Sequence, residues 1–151
     1  MKDLKKFLVK AKKNTYASNG EFGEKIFADG AKELTYKEED FFYRDRYYGS
    51  NKFIGQEVVF YGKKAVWAMN YSGRCFNGDI SVKEIYVFLK KCLKKVSVKN
   101  IFRGPENYKL GDFKYKNKSN GDIEYFLGEE VIYFKNKKVY ELKYYGGFIE
   151  R

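Results

Sequence analysis

The chain has 151 residues, a formal net charge of +11, 44% hydrophobic and 34% charged residues, and 15 Tyr beside 14 Phe. That profile fits one soluble globular domain and excludes a disordered chain, and no apolar run reaches the ~20 residues that span a bilayer. With no His and only 2 Cys, His-dependent catalysis, a zinc set and a disulfide framework are excluded too, and no metal or cofactor is expected.

The first predicted element is a helix over residues 3–13, where Leu4, Phe7, Leu8 and Ala11 recur at helical spacing and lysines take the other face. The opening Met1-Lys2-Asp3-Leu4-Lys5-Lys6 lacks the apolar core of a signal peptide, so the expected compartment is the cytoplasm. Residues 14–35 contain Asn14, Ser18, Asn19, Gly20, Gly23 and Gly30 and read as a long loop around one short strand, Lys25-Ile26-Phe27. Three strands follow, at residues 40–48, 52–61 and 65–72, with a hairpin turn at Gly62-Lys63-Lys64. A second helix over residues 82–96 opens on a capping box, Ser81-Val82-Lys83-Glu84, and carries the stripe Ile85, Phe88, Leu89, Cys92 and Val96. Arg103-Gly104-Pro105 holds the single proline and makes a rigid corner before a further set of strands.

The two strand sets repeat one another. Tyr36, Asp40, Tyr43 and Gly49 recur 72 residues later as Tyr108, Asp112, Tyr115 and Gly121. After one inserted residue, Glu57-Val58-Val59-Phe60-Tyr61 matches Glu130-Val131-Ile132-Tyr133-Phe134, and Tyr71 and Gly73 match Tyr144 and Gly146. The copies span residues 36–73 and 108–146. One domain over residues 1–151 is therefore expected, an α+β fold of two similar helix–three-strand units. It would have about six mainly antiparallel strands with both helices packed on one face.

Residues shared by the copies serve the fold, and those that differ are the better candidates for function. Trp67-Ala68-Met69-Asn70-Tyr71-Ser72-Gly73-Arg74 holds the single Trp and one of only five Arg. A ligand site at the seam between copies would use Glu57, Trp67, Asn70, Arg74, Arg103 and Glu130, with the two Arg suited to an anionic group. Glu57 and Glu130 are either edge gatekeepers or carboxylates sharing a cleft.

The positive charge concentrates in the two helices. Residues 1–13 hold six Lys against Asp3, and residues 81–99 hold Lys83, Lys90, Lys91, Lys94, Lys95 and Lys99 against Glu84. The lysine face of Lys90, Lys91, Lys94 and Lys95 is the alternative site, for low-specificity nucleic-acid binding. No phosphate loop, nucleophile elbow or metal constellation is present, so no catalytic residue is assigned and no enzymatic activity is expected.

The W-x-M-N-Y-x-G run at Trp67–Gly73 and the R-G-P-x-x-Y-x-x-G-D-x-x-Y run at Arg103–Tyr115 resemble an uncharacterised bacterial domain family. So do the opening Leu4-Lys5-Lys6-Phe7-Leu8 and the closing Val139-Tyr140-Glu141-Leu142. Members of that family stand alone or behind a helix-turn-helix segment of the Cro/repressor type. The resemblance implies a regulatory setting and brings no activity, cofactor or site residues. This chain starts directly with the domain, so no DNA-reading module of its own is expected. The expectation is a non-enzymatic regulatory module that binds a small molecule or protein partner, with no membrane partner and an apolar edge that would suit a homodimer.

Overall fold

A computed structural model describes residues 2–16, 23–76 and 78–150, with the Lys2 side chain left out. Ser18, Asn19 and Gly20 of the expected loop lie outside the described residues. Helices α1 (Lys2–Asn14) and α2 (Val82–Leu93) accompany strands β1 (Lys25–Ile26), β2 (Lys32–Glu38), β3 (Phe41–Gly49), β4 (Lys52–Tyr61) and β5 (Lys64–Cys75). After α2 come β6 (Asn107–Leu110), β7 (Phe113–Gly121), β8 (Tyr125–Phe134) and β9 (Lys137–Phe148). All nine strands form one antiparallel sheet in the order β1-β2-β3-β4-β5-β9-β8-β7-β6.

This corrects the expected fold class. The molecule is largely β, one nine-stranded sheet with two short helices, rather than two helices on about six strands. The short strand expected at Lys25-Ile26-Phe27 is β1, and the strands that sequence reasoning left out are β2 and β6. β2 carries Lys32, Glu33, Lys37 and Glu38 and so resembles a solvated loop in composition. Its hairpin to β3 turns at Glu39, a non-glycine residue at φ 52°, whereas the equivalent turn has Gly111 at φ 58°. A glutamate in a left-handed conformation gives no sequence signal for a turn.

The strands β2–β5 and β6–β9 follow the same register and meet at the β5/β9 pair, where Tyr71 lies opposite Tyr144. Met69 faces Gly146 and Gly73 faces Leu142, so an approximate two-fold axis passes through the tyrosine pair. Bulges fall at corresponding places, between Val59 and Phe60 and between Ile132 and Tyr133. Gly49 and Gly121 both have φ 91°.

Both helices cover one face of the sheet. Leu4, Phe7, Leu8 and Ala11 of α1 are buried, as are Ile85, Phe88, Leu89, Cys92 and Leu93 of α2. Ser81 caps α2: its Oγ accepts from Glu84 N at 3.2 Å, and Ser81 N donates back to Glu84 Oε2 at 3.1 Å. Strand alternation supplies the other half of the core, including Tyr43, Val59, Trp67, Met69, Tyr115, Ile132, Tyr140, Leu142 and Tyr144. No described helix is long and apolar enough to cross a membrane.

Candidate functional site

Between the helices and the sheet lie two carboxylates at corresponding positions of the halves, Glu57 and Glu130, both fully buried. A buried carboxylate is tolerated only when charge and hydrogen bonds compensate it. Glu130 is fully served. Arg103 holds it with two parallel bonds, Nε to Oε2 at 3.1 Å and Nη2 to Oε1 at 2.8 Å. Tyr140 donates its hydroxyl to Oε1 at 2.9 Å, and Tyr115 donates to Oε2. Burial works against the Arg103 charge, and Glu130 beside it more than reverses this, so its pKa is held above the usual arginine value. The adjoining strand position is closed as well. Asn117 donates Nδ2 to Gly104 O at 2.9 Å and accepts the Tyr144 hydroxyl at 2.8 Å.

The corresponding place in the first half is built differently. The repeat aligns Ala31 with Arg103, and the cation for Glu57 comes instead from α1: Lys12 Nζ sits 2.7 Å from Glu57 Oε2. The aligned hydrogen bond of Lys12 goes to Phe102 O at 2.6 Å, and among the described residues Glu57 has no partner besides the Lys12 ammonium. Trp67 replaces the hydroxyl-bearing Tyr140 and directs its Nε1 to Ile123 O at 3.2 Å. Among the described residues, the Tyr43 hydroxyl, counterpart of Tyr115, is buried without a partner, and so is that of Tyr16. Burial pushes the Tyr16 and Tyr43 phenols up and the Lys12 ammonium down, the last opposed by Glu57.

Where the second half has Asn117, the first has Asp45. It stands opposite Glu57 on the neighbouring strand and is 3% exposed. Tyr71 donates its hydroxyl to Asp45 Oδ1 at 2.5 Å, and among the described residues no ion pair reaches the carboxylate. Burial and the nearby Glu57 charge push the Asp45 carboxyl up to about 7. Lys12 and Arg103 balance Glu57 and Glu130, so Asp45 is the group whose charge the cluster does not cancel.

Asp45 also lines the floor of a cleft of about 410 Å³ that opens between α2 and strands β2–β5. Its walls are mainly aromatic and apolar, with Tyr16, Tyr47, Phe53, Tyr71, Tyr86, Leu89 and Leu93, and Lys32 and Lys90 also line it. Arg103 contributes from the second half. A carboxyl that titrates near neutrality, beside a tyrosine hydroxyl in an apolar cleft, can donate a hydrogen bond in one state and accept in the other. No group of three or more Cys, Asp or Glu placed to hold a metal occurs among the described residues.

The structure divides the residues singled out from sequence between two faces. Glu57, Trp67, Arg103 and Glu130 lie on the helix-covered face, where Trp67 is fully buried and stacks on Phe126 at 5.7 Å. Asn70 and Arg74 lie on the opposite face, the first accepting from Gln56 at 2.9 Å and the second paired with Glu141 at 2.8 Å. Arg74 and Arg103 therefore do not converge. Lys90, Lys91, Lys94 and Lys95 are exposed on and just beyond α2, Lys90 at the cleft and Lys95 over the Tyr108 ring at 4.6 Å. Asp45, Tyr71, Lys12 and Tyr16 were missed. The signal for Asp45 was present, since the repeat sets an Asp against Asn117 inside a strand. Lys12 follows Leu8 by four residues and thus borders the apolar stripe of its helix.

Neither the curated proteins nor the solved structures yield a significant match to this chain. A family model does, over residues 45–149. The match runs from Asp45 to the end of the sheet and takes in α2, both buried glutamates, Tyr71 and Arg103, while α1 and β2 fall outside it. The chain belongs to the family described as Domain of unknown function (DUF5680).

Proposed function

We propose that the protein is a non-enzymatic regulatory module that binds a small molecule in the Asp45 cleft. The observation that carries this reading is the asymmetry between equivalent positions. The second half closes Asn117 and Glu130 with the Gly104 carbonyl, a bidentate arginine and tyrosine hydroxyls. The first half leaves Asp45 at a cleft, with the Tyr16 and Tyr43 hydroxyls buried and without partners among the described residues. A volume of about 410 Å³ suits a small ligand, and an apolar cleft with few converging polar groups is the usual form of such a site. The guest would be largely aromatic or apolar, with one polar group directed at Asp45 and Tyr71. The resemblance to domains that stand behind helix-turn-helix segments supports a regulatory role in bacteria, and two free cysteines, Cys75 and Cys92, agree with a reducing cytoplasm.

A thermal-shift screen of small aromatic compounds tests this, run in parallel on the wild type and on Asp45→Asn and Tyr71→Phe variants. Asn preserves the acceptor for Tyr71, as Asn117 does for Tyr144. Compounds that stabilise the wild type should lose at least tenfold in affinity for Asp45→Asn. Equal stabilisation of all three proteins would place binding elsewhere.

A further inference from the structure

On the other face of the sheet, away from both helices, no helix or strand of the described residues forms a second layer. Alternation along the strands places Tyr48, Tyr125 and Tyr145 there, 47%, 76% and 61% exposed, together with Ile54 and Leu127 at 65% and 51%. The register sets Tyr145 between Leu127 and Asn70, and Tyr48 beside Ile54. Between these rings the surface is low, formed by Ala68, Ser72 and Gly147, and the amides of Gln56 and Asn70 are joined at 2.9 Å.

Cations surround this centre. Lys114, Lys116 and Lys118 alternate along β7, Lys143 lies on β9 and Arg44 on β3. The acids on the face are fewer: Glu33, Glu129, Glu141 and Asp29, the last accepting from Tyr48 and pairing with Arg46 at its edge, while Glu129 lies across from Lys118 and Lys143. Glu141 already holds Arg74 and Lys138, and Glu33 lies 4.0 Å from Arg46. None of Lys116, Lys118 or Lys143 has an ion-pair partner among the described residues. A second copy of this face would bring like charges together, so self-association through it is disfavoured. A duplex would engage the cations and leave the rings idle. Exposed rings on a flat sheet between rows of lysine match the chemistry of unpaired bases on a charged backbone.

We propose that the open face of the sheet binds single-stranded nucleic acid with little sequence preference, bases stacking on Tyr125 and Tyr145 and phosphates running past Lys116, Lys118 and Lys143. The site is separate from the Asp45 cleft and does not depend on it. The test is fluorescence anisotropy of a labelled 15-nucleotide oligo(dT) and of a matched duplex, with the full chain, across a salt series. Single strands should bind at least tenfold more tightly than duplex. Tyr125→Ala/Tyr145→Ala should weaken oligo(dT) binding by at least about tenfold with the melting temperature unchanged. Lys116→Gln/Lys118→Gln/Lys143→Gln should lower the slope of log affinity against log salt by about two. The reference variant Lys90→Gln/Lys91→Gln/Lys94→Gln/Lys95→Gln should change affinity far less. Equal or tighter duplex binding, or no effect of the tyrosine pair, would overturn the proposal. So would displacement of the oligonucleotide by polyglutamate of equal charge, which would point to an acidic protein instead.

Discussion

Asp45 and Asn117 occupy one strand position of a repeated unit and differ by a single atom type, yet only one of them can carry charge. Because the folded state holds the Asp45 proton up to about pH 7 while the unfolded chain sheds it near pH 4, raising the pH through that window removes stability. The loss is complete above the folded value, and no further change comes from this group. Asp45→Asn should therefore flatten the fall in stability between pH 5 and pH 8, as read by denaturant unfolding at each pH, and should raise the melting temperature at pH 8. Lys12 is the second decisive residue. Removing the cation from a fully buried pair costs about 3–5 kcal/mol, whereas replacing both members with apolar groups is often neutral. Lys12→Met should be strongly destabilising, and Lys12→Met/Glu57→Leu should recover most of the loss. A double variant no better than the single one would show that Glu57 is stabilised by something other than Lys12.

At the scale of strands, two tyrosines each lie across a glycine of the neighbouring strand, Tyr71 over Gly55 and Tyr144 over Gly128. A β-carbon on Gly55 would meet the Tyr71 hydroxyl at 2.3 Å, and one on Gly128 would meet the Tyr144 ring at 2.2 Å. The β5/β9 seam is as tightly constrained, since a β-carbon on Gly146 would approach Ala68 O to 2.1 Å. Gly146→Ala should cost about 3 kcal/mol, because the β5 backbone at Ala68 and Met69 and the Phe126 ring must all give way. Glu39→Gly, which relieves a left-handed glutamate at φ 52°, should gain up to about 1 kcal/mol. Both are read by chemical denaturation. These elements also show what was legible beforehand. The helices, the repeat, β1 and the long strands β3–β5 and β7–β9 follow from periodicity and glycine placement. β2 does not, since its charges mimic a loop and its turn lacks the glycine that marks the equivalent turn before β7.

For the whole molecule, the two sides of the sheet divide the chemistry. Linear counting assigns the positive charge to the helices, because β7 and β9 mix lysines with apolar residues and β4, β8 and β9 contain the offsetting glutamates. Alternation then sorts them: Glu57 and Glu130 turn inward, while Lys116, Lys118 and Lys143 turn outward. A seam site joining Trp67, Asn70 and Arg74 fails for the same reason, since consecutive residues of a strand face opposite ways. The buried cluster was half visible, in Glu57, Glu130 and Arg103. Asp45 was not, because burial gives it its character, and the cleft that it lines is built from α2 and the neighbouring strands, most of them far away in sequence.

The most direct measurement is an NMR titration of the Asp45 carboxyl carbon, with Asp45→Asn to assign the signal. The account predicts a midpoint of about 7, moved by the compounds that bind in the cleft. A midpoint in the ordinary aspartate range near 4, insensitive to every compound that stabilises the protein, would show a solvated side chain and remove Asp45 from any ligand site.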